Sequence, residues 1–108
     1  MPELTNERFR DAVAELMYER GWTQRELSAA VGVDPAHMCR LLRRGSSRRA
    51  TPELLARVAE AFGVRPEYFP EYREWRVVEA VRTDPSLRER LYAGIAGRTQ
   101  SREMSGLA

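Results

Sequence analysis

Between Thr23 and Gly45 the sequence places two helix starts in succession, with only Gly32-Val33 between the helices they open. The first start is Thr23 with Glu26 three residues on, the pairing of a capping box. The second is Asp34 followed by Pro35, whose missing N–H costs nothing in a first helical position. The helix after Asp34 carries an apolar stripe on one side and arginines on the other. Such a layout belongs to a short helix that a small core holds by its inner face and presents outward.

The same devices recur along the chain. Phe9, Val13, Leu16 and Met17 fall at helical spacing and predict a first helix over about 6–20, stopped by Gly21. Trp22, just before the Thr23 cap, is expected to staple the second helix through packing. That helix is expected to bury Leu27, Ala30 and Val31 before Gly32 ends it, and a third runs over about 34–44. Thr51-Pro52 opens a fourth, which offers Leu54, Leu55, Val58, Ala59 and Phe62 to the core and closes at Gly63. Residues 66–69 form a short helical turn closed by Pro70. Tyr72, Trp75, Val78 and Val81 then recur at steps of three, and Asp84-Pro85 begins a last helix with apolar Leu87, Leu91, Tyr92 and Ile95. No segment keeps the alternation of a strand. From Gly97 onward periodicity is lost, which predicts a disordered tail over 97–108.

A chain of 108 residues, 43 % apolar and 31 % charged, provides one soluble domain with a modest core and an appended element. The net charge of +2 decides little, but its distribution is uneven. No acidic residue lies between Asp34 and Glu53, where Arg40, Arg43, Arg44, Arg48 and Arg49 all fall, and the remainder carries more acid than base. A basic patch on a near-neutral chain points to a localised polyanion site. All 18 cations are arginine, in acidic regions as well, so the choice of arginine reads as coding bias and its placement carries the signal. One cysteine excludes an internal disulfide and a cysteine-based zinc site, and fits a reducing compartment. The charged N-terminus is unlike a signal peptide and no apolar run reaches membrane-spanning length, so a cytoplasmic protein without membrane association is expected.

On a helical wheel the third helix turns Met38, Leu41 and Leu42 inward. Opposite lie Ala36, Arg40 and Arg43, with His37 and Arg44 at one flank and Cys39 at the other. A helix entering a major groove reads bases with its N-terminal residues, so small Ala36 would approach closely and Arg40, one turn later, could present its fork to guanine O6 and N7. Arg43, Arg44, Arg48 and Arg49 lie where a helix end and loop would meet phosphates, and Ser46 belongs to the same set. The plainer readings are a phosphate contact for Arg40, a surface polar residue for His37 and a tolerated small residue for Cys39.

Thr23-Gln24-Arg25-Glu26-Leu27, Gly32-Val33, Met38, Leu41, Pro52, Leu55, Ala59, Ala61, Gly63-Val64 and Phe69 together resemble the lambda-repressor/Cro-type (XRE) helix-turn-helix family. The resemblance covers roughly residues 6–70. It implies an all-α, five-helix DNA-binding domain over 5–70, and the spacing of apolar residues beyond it adds a helical extension of about two helices over 71–96. It also implies that Gln24, with Thr23 beside it, contacts a phosphate at the start of the second helix. The family's base-reading slots fall on Pro35, Ala36 and Arg40, with His37 adjacent. Two departures stand out: Pro35 and Ala36 replace residues that are often polar, and Leu42-Arg43-Arg44-Gly45 makes a longer, more basic end to the third helix.

The expected function is sequence-specific binding of double-stranded DNA by a dimeric transcriptional regulator, a repressor by resemblance. The stripe of Tyr72, Trp75, Val78 and Val81, continued by Leu87 and Leu91, is the candidate homodimer interface. The alternative is a protein-interaction module, such as an antitoxin or phage-type accessory protein, that grips a toxin or phage protein through those helices and represses its own promoter. One histidine and one cysteine two residues apart form no nucleophile–base–orienter set, and no metal-ligand cluster or phosphate-binding glycine loop stands out. No catalytic residue, metal or cofactor is expected.

Overall fold

The helices begin and end at the capping devices written into the sequence. The structure, a computed structural model, describes residues 4–46 and 48–107, with side chains as far as residue 98. Among these residues six α-helices and one 3-10 turn follow in order, with no strand: α1 Phe9–Arg20, α2 Gln24–Val31, α3 Pro35–Leu42, α4 Pro52–Phe62, the 3-10 turn Pro66–Tyr68, α5 Pro70–Thr83 and α6 Pro85–Leu107. Both halves of the Thr23/Glu26 capping box form. Asp34 accepts from the Ala36 amide and Thr51 from the Leu54 amide. Gly32 ends α2 at φ +80°, where a Cβ would be strained, and the amides of Gly32 and Val33 both return to the Ser28 carbonyl.

The core draws one face from each of the first four helices. Phe9, Ala12, Val13 and Leu16 meet Leu27 and Val31, Met38 and Leu41, then Leu54, Leu55, Val58, Ala59, Phe62 and Phe69. Phe9 and Phe69 pack edge to face at 5.1 Å, and Trp22 lies tilted on Phe62 at 5.1 Å as a packing residue.

Several expectations need correction. Ser28, not Ala30, shares the buried face of α2: on the wheel Ser28 flanks Val31 and Ala30 flanks Leu27, and the core covers the Ser28 side while Ala30 is exposed. The Ser28 hydroxyl makes this tolerable by donating to the Gln24 carbonyl at 2.9 Å. Helix α1 starts at Phe9 rather than near Asn6. α3 stops at Leu42, because Arg43 is extended and Gly45 at φ +81° turns the chain away. Pro70 does not close the short turn but is the first residue of α5, the position where proline fits a helix. Finally, α6 continues past Gly97 to Leu107, where a disordered tail was expected. No proline follows Pro85, and a glycine costs a helix only about 1 kcal/mol against alanine, so Gly94 and Gly97 do not stop it. Ala108, the end of that predicted tail, lies outside the described residues.

The chain divides into two compact units, one reaching Trp75 and one beginning at Arg76. The first therefore extends beyond the boundary at residue 70 suggested by the sequence, and the start of α5 explains why. The Glu71 carboxylate accepts from the Phe9 amide at 2.8 and 3.1 Å, capping α1 from a distant part of the chain. Burial raises the Glu71 carboxyl above its ordinary pKa, against the lowering effect of the bond from Phe9. Arg73 donates to the Thr5 carbonyl, and the Thr5 amide donates to Tyr68 at 3.1 Å. Tyr72 packs on the core, and its ring lies 5.5 Å from Trp75. At the other end of α1, Arg20 reaches the Phe62 carbonyl that ends α4 and stands over the rings of Trp22 and Phe62. In the second unit, Asp84 caps α6 by accepting from the Leu87 amide at 3.1 Å.

Glu71→Ala should lower stability by about 1 kcal/mol, since it leaves a helix N-terminus uncapped, whereas Glu71→Gln keeps an acceptor and should lose less. Thermal unfolding followed by circular dichroism checks this, and an unchanged midpoint for Glu71→Ala would contradict the long-range cap.

Candidate nucleic-acid interface

Helix α3 is eight residues long, and its two faces have opposite fates. Met38 is fully buried and Leu41 nearly so, with Leu42 packed at the margin of the core. Pro35, Ala36, Cys39 and Arg40 are exposed. The apolar stripe thus holds the helix down and leaves Ala36 and Arg40 on the free side. His37 differs from its neighbours: it is half-buried and lines a groove between the start of α3 and the start of α4.

The segment after α3 is a basic turn rather than more helix. The Arg43 carbonyl accepts from the Ser46 amide at 3.1 Å and from the Arg10 guanidinium at 3.0 Å, tying the turn to α1. Ser46 in turn accepts from the Arg48 amide at 3.2 Å. The side chains of Arg43, Arg44, Arg48 and Arg49 are exposed around this turn. Gln24 is exposed in the first position of α2, and Thr23 beside it has its hydroxyl engaged with Glu26.

Charge allocation separates this region from the rest. The ion pairs among the described residues join Arg10 to Asp11, Arg82 to Glu79 and Arg88 to Glu89. None involves Arg40, Arg43, Arg44, Arg48 or Arg49. Acidic side chains gather instead along α1 and the residues before it. There the Glu15 carboxylate raises the pKa of Glu7, first through its like charge. Burial, then Glu15, Glu19 and Glu7, raise that of the Tyr68 phenol. A polyanion is drawn to the unpaired guanidinium groups and repelled by the acidic face.

Arg57 was not singled out by the sequence pattern. It lies on α4 beyond Glu53, outside the acid-free window, yet it lines the groove with His37 and Arg49. Its spacing of four from Glu53, which places both on one helix face, was the available signal. The proposed dimer residues divide between the two units. Tyr72 and Trp75 are half-buried in the first, and Tyr72 packs on its core. Val78, Val81 and Leu87 are half-buried in the second, where Leu91 is 43 % exposed.

Among the described residues no three histidine, cysteine or acidic side chains are placed to hold a metal ion, and no helix is long and apolar enough to cross a membrane. No curated protein and no solved structure matches the chain. A family model described as helix-turn-helix matches residues 13–69, more than half of the chain and the whole stretch from within α1 to Phe69. The chain therefore belongs to the lambda-repressor/Cro-type (XRE) helix-turn-helix family of DNA-binding regulators.

Proposed function

We propose that the protein is a sequence-specific transcriptional repressor that lays α3 in the major groove of double-stranded DNA. The observation that carries this reading is the exposed side of α3, where Ala36 and Arg40 stand free and the arginines of the following turn lack carboxylate partners among the described residues. Arg40 reads a base through its guanidinium fork, which matches guanine O6 and N7. Pro35 and Ala36 permit close approach and offer only apolar contact, suited to a thymine methyl. His37 is the remaining candidate reader. Thr23, Gln24, Arg43, Arg44, Ser46, Arg48 and Arg49 contact phosphates and supply affinity more than choice of sequence.

Two copies acting together would place their third helices in successive major grooves about 34 Å apart and favour an operator with inverted symmetry. Tyr72, Trp75, Val78, Val81, Leu87 and Leu91 remain the proposed dimer contacts, and exposed Val77 and Tyr92 add apolar surface on the same two helices. The same surface supports the second reading, in which α5 and α6 bind a toxin or phage protein. The protein acts in the cytoplasm and uses no catalytic residue, metal or cofactor in this role.

Selection of bound duplexes from a random DNA pool tests the reading: a strong palindromic motif is expected, and absence of any enrichment would favour the interaction module. On the selected duplex, Arg40→Ala should relax discrimination at one base position by about 1–3 kcal/mol, and an intact preference would remove Arg40 as a reader. Arg48→Ala should instead weaken all sequences alike and flatten the log–log salt slope by about 1. Light scattering should report a dimer for the full chain and a smaller species for Leu91→Glu combined with Val81→Glu. An undiminished dimer would exclude these contacts.

A further inference from the structure

Beyond Leu42 the chain leaves α3 through an extended Arg43, and Gly45 at φ +81° turns it back. The Arg43 carbonyl at this point accepts two bonds, one from the Ser46 amide at 3.1 Å and one from the Arg10 guanidinium at 3.0 Å. The first closes the turn on itself. The second reaches it from α1, 33 residues earlier in the chain. The Ser46 hydroxyl then accepts from the Arg48 amide at 3.2 Å, so three contacts in series run from α1 to Arg48. Arg10 is unlike the arginines on that turn. Its side chain is only 26 % exposed, and its Nε lies 3.9 Å from the Asp11 carboxylate. Arg43, Arg44 and Arg48 are exposed and form no ion pair among the described residues.

We propose that Arg10 is a positioning residue for DNA binding: by holding the Arg43 carbonyl, it fixes the turn that carries Arg43, Arg44 and Arg48 in one arrangement before DNA arrives. The inference rests on the DNA-binding reading above. A turn closed by a single bond between near neighbours is weakly held in water, where the same groups bond to solvent almost as well. A charged donor makes a stronger bond, and this one stands on a rigid base, since Phe9, Ala12 and Val13 of α1 are buried around it. Asp11 offsets the cost of bringing a further cation to a basic turn. Ordering a loose turn at the moment of binding subtracts from affinity, whereas a turn already ordered by the fold carries no such penalty. Arg10 thus acts on DNA through the turn and contacts no phosphate itself.

Arg10→Met keeps an apolar stem and removes the donors. Its binding to the selected duplex and to a scrambled duplex is measured by fluorescence anisotropy between about 50 and 200 mM salt, well below the thermal midpoint of each protein. Both duplexes should bind about tenfold more weakly, with the base preference kept. The log–log salt slope should match that of the wild-type chain, because no phosphate contact is lost, in contrast to Arg48→Ala. Backbone order parameters of the free protein should fall at Arg44, Gly45 and Ser46 and hold along α3. Arg10→Lys, which retains one charged donor, should recover part of both the affinity and the order. Unchanged affinity in folded Arg10→Met would overturn the proposal, and so would weaker binding with an unaltered turn. A slope reduced by about 0.9 would make Arg10 a phosphate contact and overturn it equally. Should Arg10→Met fail to fold, Arg10→Lys decides: affinity and turn order must fall together, and a change in one alone, or in neither, contradicts the assignment. If the wild-type chain bound no duplex in a salt-dependent way, the DNA reading itself would fall, and this inference with it.

Discussion

The burial of Met38 and Leu41 governs what the rest of the molecule can do. An eight-residue helix is marginal alone in water, since the cost of nucleation exceeds what so few hydrogen bonds return. α3 persists because its inner stripe joins Leu27 and Val31 of α2 and the apolar face of α4 in one core. Once that stripe is committed, the opposite side must face outward. The left-handed turn at Gly32 and the Asp34 cap set where α3 begins, and the Arg43–Ser46 turn, held by Arg10, sets where it stops. The outward position of Arg40 is thus a consequence of packing, established before any ligand arrives.

The arginines divide into two groups by what satisfies them. Arg10, Arg20 and Arg73 give their guanidinium protons to backbone carbonyls of other parts of the first unit, where they close helix ends or fasten the N-terminal segment. Those of the acid-free window do no such work and stand exposed. Sequence composition treats both groups alike. Their separation emerges only from tertiary contacts, which leave the charges of the basic window without ion-pair partners among the described residues.

Local signals made the helix starts legible. Thr23 with Glu26, Asp34 with Pro35 and Thr51 with Pro52 act within a single turn, so their chemistry can be read from neighbours in the chain. The five buried residues of α4 were equally plain from their spacing. Long-range contacts were not. Nothing near Phe9 announces that Glu71 will cap it, and nothing near Pro70 announces that the following helix completes the first unit. Ser28 and Ala30 flank the Leu27–Val31 stripe on opposite sides, so which of them is buried depends on how α2 packs, and α6 runs on past Gly97 although the apolar period ends there. At the candidate site, the exposed face of α3 followed from periodicity, whereas the grouping of His37, Arg49 and Arg57 depends on where α4 packs.

We propose that the outward side of α3 and the basic turn after it form the DNA-binding surface. Amide chemical shifts of the labelled protein, followed as a selected duplex is added, address it most directly. The largest changes are expected over 35–49 and at Gln24, with α6 little affected. Changes concentrated on α6, or spread evenly without a maximum at α3, would contradict it.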